Sequence, residues 1–402
     1  MKNPLVVLKP KRNASLLRKH PWVFSGAIEK IILPDDFPSD KSLEGETVVV
    51  GNQAEEILGV GHFSEGSIAI RLLCFENKKI DLKFWEEKIQ KAFEYRKRIG
   101  LTENKSTDCY RLIHAEGDEL PGLIIDIYET TAVIQAHSTG MIRAVDLIAK
   151  ALIKVIPTLK AVYNKSEKSL QGTSDEKFTD GFIIGKGSVP KVVLENKLKF
   201  EVDWVSGQKT GFFLDQRDNR ALLQNFVKNK KVLNTFCYSG GFSIYALAAG
   251  AELVHSVDSS AKAIALTNNN VALNFEEHSK HKAFESDTLD FLKSSDENYD
   301  VIVLDPPAYA KSRKSMHRAV QGYKRLNSLA LSKISPGGIL FTFSCSQVIS
   351  TQLFLDTVTA AAIEANRNVK IIHRLNQGAD HPTNIFHPEG DYLKGLVLFI
   401  ES

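Results

Sequence analysis

Cysteine is scarce in this 402-residue chain: Cys74, Cys109, Cys237 and Cys345 stand far apart, with no CxxC pair and no metal-ligand spacing. This excludes a disulfide framework and a structural zinc site, so no metal is expected, and it points to a reducing, cytoplasmic setting. No stretch approaches the ~20 uninterrupted apolar residues of a membrane span, and MKNPLVVLKPKRN lacks the apolar core of a secretory signal. No membrane partner is expected. Internal repeats and low-complexity segments are absent too, and a net charge of +3 does not by itself mark a nucleic-acid binder. Acid, however, is missing in two places. None precedes Glu29, whereas Lys2, Lys9, Lys11, Arg12, Arg18 and Lys19 do. None lies between Asp305 and Asp356, a stretch holding Lys311, Arg313, Lys314, Arg318, Lys324, Arg325 and Lys333. Such segments are either solvated faces or surfaces for a polyanion.

What is present divides into three parts, since 402 residues exceed one ordinary core. Residues 1–75 read as a small β-rich domain, with strands at Thr47–Val50 and Ile68–Leu73 between glycines. Residues 76–190 read as a central α/β domain. It holds a helix over Asp81–Gly100, paired strands at Leu123–Tyr128 and Ala132–Ala136, a helix over Ile142–Val155, and a polar loop over Lys165–Asp180. Residues 191–402 alternate strand and helix as a doubly wound, mostly parallel sheet does. Its strands are expected at Val232–Asn234, Leu253–Val257, Val301–Leu304 and Ile339–Phe343. Its helices are expected at Phe242–Ala249, Ala261–Asn274 and Gly322–Ile334.

Two strand ends in the last part carry chemistry. VIVLDPPAY delivers Asp305 with two prolines, and ILFTFSCS delivers Cys345 between two serines. Ligands of open α/β sheets bind beyond the carboxyl ends of strands, so an acid and a thiol there form a candidate active site. A third end, KVLNTFCYSGGFS, turns through glycine into a helix, suiting close backbone approach to a ligand. It is not GxGxxG. Asp258, 18 residues beyond Gly240 at the next strand end, is placed to take both hydroxyls of a ribose, or else to cap the helix near Ser260. Asp287 offers an acceptor for an adenine amino group. In TGFFLDQRDNR, Gln216 and Arg217 are suited to a carboxylate. These features fit a phosphate-free nucleoside such as S-adenosylmethionine. The candidate cofactor set is Phe213, Gln216, Arg217, Asn234, Phe236, Tyr238, Gly240, Asp258, Asp287 and Asp305.

Taken together the motifs resemble the RlmI-type family of large-subunit rRNA cytosine-C5 methyltransferases along essentially the whole chain. SLLRKHPWVFSGAI (Ser15–Ile28) is similar to that family's PUA domain, an RNA-binding β-barrel, and DCYRLIHAEGDELPGLIID (Asp108–Asp126) to its central α/β domain. KTGFFLDQRDNR, FCYSGGFS, SVDSS, DPPAYAKS, FTFSCS and ADHP…HPEGDYLKG resemble motifs of its Rossmann-like class I methyltransferase domain. The resemblance implies S-adenosylmethionine as cofactor, large-subunit ribosomal RNA as partner, Cys345 as nucleophile and Asp305 on the cytosine edge, and it leaves a homodimer open. Some RNA cytosine methyltransferases carry a second cysteine after the proline of the acid loop; here that place is Ala308, so one cysteine would suffice and the base that removes a proton is unassigned. Cys237 is expected to pack the cofactor turn. Tyr309 would stack on a base or pack its loop. Lys311, Arg313 and Lys314, with Arg12, Arg18 and Lys19, would hold RNA. Two other readings stay open: a guanine-nitrogen RNA methyltransferase, which shares the acid-Pro-Pro loop but needs no thiol, and a non-catalytic RNA-binding assembly factor.

Overall fold

β-branched residues that alternate in and out of a core build the first sheet. The computed structural model describes residues 3–54, 56–171, 177–310 and 312–401. In it β1 (Leu5–Leu8), β2 (Trp22–Phe24), β3 (Ile28–Ile32), β4 (Thr47–Gly51), β5 (Ile57–Phe63) and β6 (Ile68–Cys74) pair in the order β2-β6-β5-β4-β1-β3. All neighbours are antiparallel except β1 and β4. Val6, Leu8, Val48, Val50, Ile70 and Leu72 form its core. β5 and β6 come so close that a Cβ at Gly61 would sit 2.3 Å from the Arg71 carbonyl oxygen, so only glycine is accommodated.

A second sheet follows, with β7 (Cys109–His114), β8 (Leu123–Tyr128), β9 (Thr131–Ala136), β10 (Ala161–Asn164) and β11 (Gly181–Ile184) in the order β11-β10-β9-β8-β7. The expected helix over 81–100 runs from Leu82 to Arg98. Asp81 caps it by accepting the Phe84 N–H, and Trp85, Ile89 and Arg96 are buried. The helix expected over 142–155 is two, Thr139–Arg143 and Val145–Val155, the first capped by Ser138. Arg96 has no exposed surface: it pairs with Asp118 and donates to the carbonyls of Arg111 and Asp380, both at 2.8 Å. Arg111 forks onto buried Asp126 at 2.7 and 2.8 Å, and the Thr210 hydroxyl donates to the same carboxylate. These buried, charge-assisted bonds tie residues 202–212 and 379–390 to the second sheet.

The chain forms two compact units. One comprises Met1–Lys191, Val202–Phe212 and Ala379–Gly390; the other comprises Val192–Glu201, Phe213–Gly378 and Asp391–Ser402. After the hairpin strands β12 (Lys191–Glu195) and β13 (Leu198–Val202), the second unit is built on seven strands. They are β14 (Lys231–Thr235), β15 (Leu253–Asp258), β16 (His281–Glu285), β17 (Tyr299–Leu304), β18 (Ile334–Ser344), β19 (Val369–Leu375) and β20 (Lys394–Ile400), ordered β16-β15-β14-β17-β18-β20-β19. β20 runs antiparallel to both its neighbours, and the others are parallel. This is the Rossmann-like sheet expected from the alternation of strand and helix. Its topological switch point lies between β14 and β17, whose successors depart in opposite directions. The helix Ala261–Asn274 has its expected bounds, whereas the one expected from Gly322 begins at Met316; its first turn buries only Ala319 and leaves Met316, His317 and Arg318 exposed, so it carries little apolar stripe to read. No described helix is long and apolar enough to cross a membrane.

Candidate active site

The loop leaving β14 is held in a conformation that side chains resist. Phe236, Tyr238 and Gly240 have φ of 54°, 48° and 73°. A non-glycine residue there costs on the order of 1–3 kcal/mol and persists only where neighbours enforce it. The enforcing bonds come from β15 and the helix after it. Cys237 N–H donates to the Val257 carbonyl at 3.1 Å and Tyr238 N–H to Asp258 Oδ2 at 3.0 Å, while Thr267 Oγ1 and Asn270 Nδ2 donate to the carbonyls of Tyr238 and Ser239. A Cβ on Gly240 would lie 2.7 Å from Thr267 Cγ2. The loop then enters the helix Gly241–Ala248, whose N-terminal glycine contributes no side-chain cap.

Asp258, half-exposed at the end of β15, takes the Tyr238 N–H on one oxygen and the Ser260 N–H at 3.0 Å on the other. Ser260, not Asp258, caps the helix Ala261–Asn274. An ionised carboxylate has about four lone-pair sites, so two remain for hydroxyl donors. Asp287 is exposed and caps the helix Thr288–Ser294 through Oδ1 alone. Asn234 lies inside the sheet: its amide donates to Ser243 Oγ at 2.8 Å, in a chain continuing through Ser256 to His281. Phe213 and Tyr238 meet edge to face at 5.2 Å. Gln216 and Arg217 are buried, and Arg217 Nε lies 3.6 Å from the buried Glu195. Arg220 holds that carboxylate bidentately at 2.7 and 2.8 Å.

At the other side of the switch point, burial and then the charge of Asp215 push the Asp305 carboxyl up from 3.8 to about 7, against a hydrogen bond from Gln216. Asp215 accepts the Tyr392 hydroxyl at 2.6 Å on Oδ2, while its buried Oδ1 has no hydrogen-bond partner among the described residues. Cys345 follows β18 and is half-buried. Both flanking serines are tied down: Ser344 Oγ donates to the Tyr323 hydroxyl at 3.0 Å, and Ser346 Oγ to the Ala310 carbonyl at 2.6 Å. The second bond stitches the thiol-bearing strand end to the loop that begins with Asp305. Lys394 Nζ reaches the Ser346 carbonyl at 2.9 Å. Cys237, by contrast, is 6% exposed, and burial pushes its thiol up to about 12, which suits packing.

Residues 179–396 match the S-adenosylmethionine-dependent methyltransferase family, and residues 6–75 match the PUA-like domain. Over 398 residues the chain is 39% identical to "Ribosomal RNA large subunit methyltransferase I" of Shewanella denitrificans, covering 98% of each. The chain belongs to the ribosomal RNA large subunit methyltransferase I family. Two solved structures share its fold at 22% identity, each covering 98% of this chain and 99% of theirs. One is a candidate methyltransferase of Streptococcus mutans (TM-score 0.82), the other a candidate methyltransferase in complex with S-adenosylhomocysteine (TM-score 0.83). The cofactor of this family fold is S-adenosylmethionine. The chain's own residues suit it: the Gly240 turn has no room for a Cβ, and Asp258 keeps acceptor capacity at a strand end.

Within this family fold the remaining sequence candidates are distributed as follows. Tyr309 packs on Tyr323 with ring centroids 4.6 Å apart, and a Cβ on Gly322 would come 3.0 Å from its ring. Arg313 and Lys314 are exposed on a 3-10 turn and among the described residues have no acidic partner; Lys311 lies outside the described residues. Arg12, Arg18 and Lys19 are exposed on the first unit, Lys19 over the Phe75 ring at 4.9 Å. Asp215, Arg220 and Lys394 were not singled out from sequence, although all three sit inside the segments quoted for the family motifs. One cluster in the first unit, His20, His387 and Glu389, has metal-ligand residue types within 4.8 Å. The Trp22 N–H donates to His20 Nδ1 at 3.2 Å, so the neutral ring carries its proton on Nε2, facing Glu389 at 3.6 Å. His20 therefore presents a donor there and not a metal-binding lone pair.

Proposed function

We propose that this chain transfers a methyl group from S-adenosylmethionine to carbon 5 of a cytosine in large-subunit ribosomal RNA, with Cys345 as the attacking thiol. The observation that carries the reading is the Ser346–Ala310 bond, which keeps the Cys345 strand end beside the Asp305 loop. The substrate class comes from the name borne by the relatives that match over the whole chain.

Carbon 5 of cytosine is a poor nucleophile, and a thiolate changes that. Sulfur of Cys345 bonds to carbon 6, and the carbon 5–carbon 6 π electrons move to carbon 5, leaving an enamine. S-adenosylmethionine, held by the residues named below, would supply an electrophilic methyl group to carbon 5, with the neutral thioether S-adenosylhomocysteine as the leaving group. A base then removes the carbon-5 proton, the double bond re-forms, and the thiolate leaves. Asp305, poised near neutrality, is partly protonated at pH 7 and can donate to the ring's Watson–Crick edge while sulfur adds. Ala308 stands where a second cysteine would be, so Cys345 acts alone.

In this reading Phe213, Phe236 and Tyr238 border the nucleoside. Gly240 and Asp258 take its ribose side, Asp287 its base, and Gln216 and Arg217 its carboxylate end; Asn234 supports the turn from inside the sheet. Lys311, Arg313 and Lys314 follow the phosphates around a base turned out of its stack, and Arg12, Arg18 and Lys19 extend the basic surface of the PUA-like domain. The functional division is residues 1–75 for RNA binding, 76–190 as central domain and 191–402 for methyl transfer.

The test uses substrate RNA containing 5-fluorocytosine, whose carbon-5 fluorine cannot be removed as a proton. A complex that survives denaturing electrophoresis, needs cofactor, forms with Cys237→Ser and is lost in Cys345→Ser is expected. Full methylation activity in Cys345→Ser would sink the covalent reading.

A further inference from the structure

Lys394 is buried at 7% exposure and, among the described residues, forms no ion pair. An ammonium in that position is costly unless something nearby uses its charge. Its place follows from topology. β20 is the one strand that runs against the sheet, so its first residue meets the end of β18: Lys394 lies opposite Ser344. From there Nζ bonds the carbonyl of Ser346 at 2.9 Å. The ammonium is thus registered to the residue before Cys345 and hydrogen-bonded to the residue after it.

We propose that Lys394 is a positioning residue whose ammonium holds Cys345 as a thiolate. The inference rests on the reading of Cys345 as nucleophile and names what prepares it. The proton leaves sulfur for solvent, and the thiolate faces a charge already in place; when elimination frees the sulfur, it returns to the same partner. Of the other titratable groups around the pair, Asp391, and Asp305 once it ionises near pH 7, oppose the thiolate by like charge, and the rest do not. Asp391 and the Cys345 sulfur both favour the charged form of Lys394, partly offsetting burial, which lowers its proton affinity. Tyr323, on the helix packed beneath, stays neutral because burial raises it, and it is further engaged by Ser344. Arg374 on β19 borders a cavity of about 150 Å³ that Lys394 and Asp391 also line, and adds positive charge. Asp305, on the neighbouring loop, is itself drawn toward its neutral form.

The experiment reads the thiol, not the reaction. The full chain is alkylated with iodoacetamide across pH 5–10, and the rate at the Cys345 peptide is followed by mass spectrometry, with half-exposed Cys74 as internal control. In the wild type the midpoint for Cys345 should fall below the ordinary thiol value of about 8.5. Lys394→Met should raise it by about one pH unit or more and slow alkylation at pH 7 about tenfold, as loss of an adjacent opposite charge does. Lys394→Arg should restore the wild-type midpoint, and Cys74 should not move. Retained S-adenosylmethionine binding shows that Lys394→Met is folded. A midpoint unchanged in Lys394→Met overturns the proposal. So does a wild-type midpoint at or above 8.5, which needs no variant at all. Failure of the underlying reading looks different: Cys345→Ser would keep methylating RNA whatever the alkylation profiles show.

Discussion

Asp305→Asn tests whether the candidate site is built at the expense of stability. The Asp305 carboxyl is raised from 3.8 to about 7 by burial first and the Asp215 charge second. The folded chain then binds that proton more tightly than the unfolded chain, so stability falls as pH climbs from about 4 through 7 and the loss is complete above it. At 1.36 kcal/mol per pH unit the difference is about 4 kcal/mol. Asp305 retains some solvent contact, and screening lowers this to about 2 kcal/mol. Asparagine removes the charge and keeps an oxygen for the Gln216 donor. The variant should therefore exceed the wild type in stability by a margin that opens by about 1–2 kcal/mol between pH 5 and pH 8. For a unit of roughly 200 residues each kcal/mol is worth about 2–4 °C, so the melting temperatures should separate by a further 3–6 °C across that range. Scanning calorimetry of both proteins at pH 5, 6, 7 and 8 measures the gap. A gap that stays constant or narrows as pH rises would refute the burial argument. Methyl transfer should be lost in the variant, since an amide cannot supply the proton.

Asp258→Ala should weaken S-adenosylmethionine binding by about 1.5–3 kcal/mol, measured by titration calorimetry; unchanged affinity in a folded variant would leave Asp258 only its two loop bonds, to Tyr238 and Ser260. Replacing Arg313 and Lys314 by Gln should leave cofactor affinity intact and lower the slope of log K against log salt for RNA by about 1.4, the value for two phosphate contacts on a single strand. An unchanged slope would place the RNA path elsewhere.

The parts of the site that could be read from sequence are those written locally. A buried parallel strand is a short apolar run, and the polar residue that ends it marks the sheet's carboxyl edge; Asp258, Asp305 and Cys345 all announce themselves that way. The bounds of the helix Ala261–Asn274 were equally local, although its cap is Ser260 and not Asp258, the cap the sequence offered. The edge was harder. Val369–Leu375 reads VKIIHRL, and its interior residues are exposed, so no buried face is imprinted on it.

What the sequence did not show is what separates a strand end from a working site, namely the contacts made by residues distant in the chain. Tyr392 reaches Asp215 across 177 positions, Arg220 reaches Glu195 across 25, and Lys394 reaches Ser346 across 48. None of these pairings has a period or a spacing. Each depends on which strand lies beside which, and the insertion of β20 between β18 and β19 alone decides that Lys394, rather than any of the nearer lysines in the acid-free stretch, meets the thiol's strand end. A motif therefore names the groups that react, while strand order determines the charges they react beside. The proton affinities of Asp305 and Cys345 belong to that second kind of information, and they are where this chain's chemistry is most open to experimental disproof.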